Sequence, residues 1–208
     1  VIGLAYWGAI DYLGESQGWP EKGWAQGVFD ISLEPKPKAF FMKSFMSDEP
    51  MVDIAVSEGG RSDVVWNGVQ TGNASLSENW NRQEGSTVSL ITFTNAHEVE
   101  LLLNGKSLGR KQNPEAPKLR NQIYGKDIPY QHGRLEAVGY DKNGKPVARH
   151  TLETTGKAVK LIVTPDNNDW IADGQDLQHL RITAVDSKGR RVLSAADDLR
   201  VEGEGDAR

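Results

Sequence analysis

The sequence predicts a mainly β fold, with immunoglobulin-like β-sandwich modules preceded by a single βα unit. Three observations carry this expectation. From about residue 47 onward the apolar runs are short, rich in β-branched residues and separated by turn signals, as in an all-β sandwich. Asn104-Gly105 lies between Val99–Leu103 and Lys106–Leu108, and Asn-Gly marks a hairpin because both central residues need positive φ. Before residue 47 the pattern changes: Tyr6, Trp7, Tyr12, Trp19, Trp24, Phe29, Phe40, Phe41 and Phe45 crowd together among frequent glycines. Three zones follow: 1–46, 47–156 and 157–208.

In the first zone, Val1-Ile2-Gly3-Leu4-Ala5-Tyr6-Trp7 is a continuous apolar run, which suits a parallel strand covered on both faces. A Gly/Ser/Pro-rich loop runs from Gly14-Glu15-Ser16 to Trp19-Pro20. Glu34-Pro35-Lys36-Pro37-Lys38 starts a helix, since Pro is tolerated in the first turn. Phe41 and Phe45, with Ala39, Met42 and Met46, then recur at helical spacing. One βα unit cannot close a sheet, so this zone must lean on neighbours.

In the second zone the expected strands are Val52–Val56, Val64–Trp66, Val88–Thr94, Glu98–Leu103, Leu135–Tyr140 and Val147–Leu152. Asp141-Lys142-Asn143-Gly144 supplies a second turn. The polar, Pro-containing stretch from Lys111 to Gln131 reads as a long surface excursion. In the third zone, Ala158–Pro165 reads as a strand, Leu180–Asp186 alternates cleanly, and Asp186–Gly189 turns into Arg191–Leu193. This is the front half of a second immunoglobulin-like sandwich, expected to be truncated. Val1 is not Met, and the chain is expected to be a piece of something longer.

Composition narrows the function classes. Charged residues make up 25% and apolar residues 38%, with a net charge of −5, and no basic stripe of the kind nucleic-acid binders carry is visible. Lys106, Arg110 and Lys111 read as the solvated end of a hairpin. The absence of cysteine excludes disulfides, a thiolate nucleophile and Cys-ligated zinc. No apolar stretch has the length of a membrane-spanning helix.

The constellation with chemical potential is Tyr6-Trp7-Gly8-Ala9-Ile10-Asp11-Tyr12-Leu13-Gly14-Glu15-Ser16. In an α/β barrel the carboxyl ends of the strands form the active face. Sugars offer flat C–H faces that stack on indoles, and hydroxyls that need acceptors, so Trp7, Asp11 and Glu15 suit a carbohydrate floor. From composition alone Trp7 and Tyr12 read sooner as core aromatics, since aromatic runs are more often core than site. His97, His132, His150 and His179 show no ligand spacing and read as surface histidines. Asp166-Asn167-Asn168-Asp169, with Asp173 and Asp176, departs from a calcium loop at Trp170 and Ile171 and reads as a solvated turn. Neither a phosphate loop nor a serine nucleophile elbow is found.

The run YWGAIDYLGES, then GWP, then GVFDISLEPKPKAFF, resembles the last βα unit of the TIM-barrel catalytic domain in glycoside hydrolase family 2. The Val99–Gly109 hairpin and the zone after Gly156 resemble the β-sandwich and immunoglobulin-like modules that follow that barrel. Ala9 and Ile10 depart from the commoner pair before the Asp, which leaves substrate preference open. The resemblance implies a carboxy-terminal portion of a retaining, β-galactosidase-like enzyme, non-catalytic by itself because both catalytic glutamates lie upstream. It implies that Trp7 stacks on the sugar, while Asp11 and Glu15 brace the loop or line the leaving-group side. No cofactor or metal is expected. The expected partners are a β-galactoside or related glycan, the missing barrel and, in a homodimer, a second copy; nucleic acid and membrane are not. The resemblance also suggests secretion or periplasmic export. Two other readings stand beside it: a stand-alone carbohydrate-binding module using Trp66 or Trp80 as stacking platforms, and a structural or adhesive immunoglobulin-like array.

Overall fold

A computed structural model describes residues 7–14, 23–61, 65–66, 69–70, 74–169, 171 and 173–202. The chain divides into two compact units, Val1–Thr154 and Thr155–Arg208.

The first unit opens with two short strands, β1 (Tyr12–Leu13) and β2 (Gly23–Trp24), paired antiparallel. The helix α1 (Pro37–Met46) follows, with Lys36 at its N-cap and Pro37 in its first turn. Then come β3 (Val52–Arg61), β4 (Val65–Trp66), β5 (Val69–Gln70), β6 (Ala74–Ser77), β7 (Thr87–Thr94), β8 (Glu98–Leu103), β9 (Lys106–Gln112), β10 (Gln122–Pro129), β11 (Arg134–Tyr140) and β12 (Pro146–Glu153). Among the described residues β3 and β6 to β12 build two four-stranded antiparallel sheets, β10-β7-β3-β6 and β12-β11-β8-β9, while β4 pairs with β5. Side chains of β3, β7, β8, β11 and β12 point between the sheets, and there Val52, Ile54, Val56, Leu90, Val99, Leu103, Leu135 and Leu152 form the core. The expected mainly β, sandwich-type fold is therefore present.

The hairpin at Asn104-Gly105 forms as its chemistry demands, with φ of 50° and 81° and Leu103 paired to Lys106. At the second turn Asp141 Oδ1 accepts the backbone N–H groups of Asn143 and Lys145, and Gly144 has φ 76°. One expectation needs correcting. Lys111–Gln131 is not a surface excursion throughout, because Gln122–Pro129 is the edge strand β10, paired to β7. Its apolar signal is thin: Ile123 faces the core while Gln122, Tyr124 and Lys126 face outward or lie half-exposed. A register shift between Gly125 and Ile128, with Asp127 at φ 53°, breaks the alternation that would have marked it.

On the outer side of the first sheet, Phe41 of α1 packs on Phe93 of β7 with centroids 5.4 Å apart, and edge-on against Phe45 at 5.1 Å. Asn121 ties the helix end to the sheet by donating to the Ser44 carbonyl, 2.9 Å. The strand expected at Val1–Trp7 lies outside the described residues, apart from Trp7.

The second unit carries β13 (Lys160–Pro165) and β14 (Leu180–Val185), paired antiparallel from Lys160↔Val185 to Pro165↔Leu180. Asp186 organises the turn after β14. It accepts the backbone N–H groups of Lys188, Arg190 and Gly156, together with the Arg190 guanidinium at 2.7 and 2.9 Å, and these donors hold its carboxyl well below the usual range.

Candidate functional site

Trp7 leads into the segment that holds the candidate site, and its side chain is 86% exposed. The residues after it are pinned. The Ala9 carbonyl accepts the N–H groups of Val28 and Phe29, both at 2.9 Å, and Asp11 N–H donates to the Phe29 carbonyl at 3.0 Å. Segments 9–11 and 28–29 thus run side by side, with Ile10 bridged in parallel to Phe29. Tyr12 and Trp24 stack at 5.5 Å, and a Cβ on Gly8 would come within 3.0 Å of the Trp24 ring. Trp24 is therefore wedged between Tyr12 and the Gly8 backbone.

Asp11 turns inward, its side chain only 12% exposed. One oxygen accepts Gly27 N–H at 2.9 Å and Lys36 Nζ at 2.7 Å; the other meets the same ammonium at 2.6 Å. Gly27 has no room for a side chain, since a Cβ would lie 2.7 Å from the Asp11 nitrogen and the Ile10 carbonyl carbon. The structure thus separates two of the expected site residues by environment: Trp7 faces solvent, and Asp11 is engaged within the loop. Glu15 lies outside the described residues. Lys36 was legible only as part of a helix start, and Trp24 only as one aromatic among many.

The proposed stacking platforms fare differently. Trp80 is 1% exposed, packed on Tyr130 at 5.3 Å in the sandwich core, so it has no face for a sugar. That expectation is corrected: the core between the sheets needs a large apolar body there, and the indole fills it. Trp66 ends β4, and its side chain lies outside the described residues.

A second cluster joins Asp53, Glu78 and His150, whose potential ligand atoms lie within 4.8 Å of one another. His150 is not a surface residue. It sits inward on β12 and its Nδ1 accepts Ile54 N–H at 2.9 Å. A neutral ring then carries its hydrogen on Nε2, which faces Asp53 Oδ2 at 3.6 Å. A metal ligand needs the Nε2 lone pair, and ligating histidines normally donate from the other nitrogen; here that nitrogen accepts. The cluster thus fits a proton better than a metal. The Asp53 side chain is 4% exposed and its Oδ1 has no hydrogen-bond partner. Burial, and then the charge of Glu78, push its carboxyl up to about 8, while burial holds His150 below its ordinary value.

Comparison with known proteins adds a family. Residues 85–148, which run from β7 into β12, match a family described as a domain of unknown function (DUF4982). The β-galactosidase BoGH2A of Bacteroides ovatus is 28% identical over 96% of this chain and 20% of its own length. A solved glycosyl hydrolase family 2 member from Bacteroides cellulosilyticus superposes with a TM-score of 0.78 at 32% identity, over 88% of this chain and 25% of that one. Over most of its length the chain is thus similar to one part of glycoside hydrolase family 2 proteins. A β-galactosidase of Thermoanaerobacter pseudethanolicus is 29% identical over 99% of the chain and 27% of its own length. The chain therefore spans about a fifth to a quarter of the relatives it matches.

Proposed function

We propose that this family 2 chain is the carboxy-terminal part of a retaining β-galactosidase-like hydrolase, supplying a sugar-facing indole and a sandwich scaffold but not the reacting carboxylates. The observation that carries the reading is coverage: nearly the whole chain aligns with two proteins named as β-galactosidases, yet with only about a quarter of each or less. Trp7 supports the substrate side. A largely exposed indole next to a hydrogen-bonded backbone suits stacking on the C–H face of a sugar ring, and preorganisation keeps the cost of ordering it low.

Retention needs two carboxyl groups about 5–5.5 Å apart across the scissile bond. Asp11 is unsuited to either role, because both its oxygens are held by an ammonium. The family resemblance implies that the acid/base and nucleophile glutamates lie on chain preceding Val1. Hydrolysis of an aryl β-galactoside, measured for this chain alone and for the full-length protein that contains it, tests the reading. The full-length protein should turn substrate over with retention at the anomeric carbon, and the chain alone should not exceed the buffer rate. Turnover by the chain alone would contradict the proposal.

A further inference from the structure

We propose that Lys36 is a positioning residue for the sugar-facing loop, fixing the backbone from which Trp7 projects. The inference rests on the reading that Trp7 meets sugar. An ammonium has three donors, and Lys36 faces three oxygens: both of Asp11, at 2.7 and 2.6 Å, and the Ala25 carbonyl at 3.0 Å. Its backbone N–H donates to the Val28 carbonyl at 2.8 Å. Three stretches of chain therefore meet at one side chain: the segment after Trp7, residues 25–28, and the start of α1.

Helix chemistry does not account for a lysine at this place. N-caps favour Ser, Thr, Asp or Asn, whose oxygens accept the free N–H groups of the first turn. A cation there opposes the helix dipole. Lys36 occupies the N-cap of α1 and makes no side-chain cap hydrogen bond. It also disfavours its neighbour: Lys38 is lowered by burial and then by the charge of Lys36. What Lys36 does satisfy is Asp11, whose backbone is bonded to Phe29 and whose carboxylate also takes Gly27 N–H. Only Gly8 separates Trp7 from Ala9, the first residue of this pinned stretch, and Gly8 is itself packed on Trp24. Release of the ammonium frees segment 25–28 to shift, and Trp7 with it.

The test uses the full-length enzyme carrying Lys36→Met, Lys36→Arg, Asp11→Asn and Trp7→Ala, singly and in pairs, with kcat, KM and Tm measured on an aryl β-galactoside. A misplaced contact of about 1 Å costs on the order of 100-fold. Lys36→Met should therefore lower kcat/KM roughly 10- to 100-fold, and Lys36→Arg should recover most of that loss. Adding Trp7→Ala to Lys36→Met should cost little more, because the two act as one unit. Should Lys36→Met fail to fold, the Asp11→Asn and Trp7→Ala pair replaces it. A lowered Tm with unchanged kcat/KM, or effects of Lys36 and Trp7 that simply multiply, would overturn the assignment. An unchanged kcat/KM in Trp7→Ala alone would remove the sugar-facing reading and this inference with it.

Discussion

Asp53 shows how one residue can depend on placement that its neighbours in sequence do not reveal. It stands in the apolar run Met51–Val56, and its alternation with Val52 and Ile54 suggests a solvent-facing side chain. Asp53 is instead buried, beside His150 and Glu78. The linkage has a definite sign. With its folded value raised to about 8, the folded state holds more protons than the unfolded one between roughly pH 4 and pH 8, so stability from this group falls as pH rises through that window. The upper bound is on the order of 5 kcal/mol. His150 acts oppositely: its lowered value means that the unfolded state takes up protons first, so its contribution is lost as pH falls below about 6.5. Asp53→Asn should raise Tm at pH 8 and flatten its decline between pH 5 and pH 8; an unchanged pH–Tm curve would remove this account. Trp80→Ala, by contrast, should cost about 3–5 kcal/mol at every pH by emptying a core site, as read by urea unfolding.

At the scale of elements, legibility followed local chemistry. Asn104-Gly105 and Pro37 announce a hairpin and a helix start because each restricts the backbone within a few residues. β10 escaped notice because its register shifts at Gly125–Ile128 and only part of it reaches the core. The pinned loop after Trp7 was legible in composition but not in wiring: Asp11 and Lys36 are 25 residues apart, and only the fold joins them. Two predictions belong here. Phe41→Ala should loosen α1 from the first sheet and cost about 2–4 kcal/mol of unfolding free energy, since the ring packs on Phe93. Gly27→Ala should disrupt the loop, because its Cβ would meet backbone atoms at 2.7 Å that cannot move independently. Faster proteolytic cleavage within residues 7–30, with the sandwich intact, is the expected readout.

Across the whole molecule, the sandwich character and the likeness to family 2 proteins were readable because strand patterning and the motifs of residues 7–46 are carried by contiguous residues. Of the candidate site, the sequence offered Trp7 by residue type and resemblance, while the contrast between an exposed indole and an internally bonded Asp11 required coordinates. Trp80 misled for the converse reason, since an indole in sequence does not reveal whether the connection carrying it folds into the core. Under the proposed function, Trp7 of this chain meets sugar once the rest of the enzyme is present. A crystal structure of the full-length protein with bound galactose tests it most directly. The Trp7 indole face is expected about 4 Å from the C–H face of the sugar ring. An indole buried in protein, or turned away from the bound sugar, would contradict it.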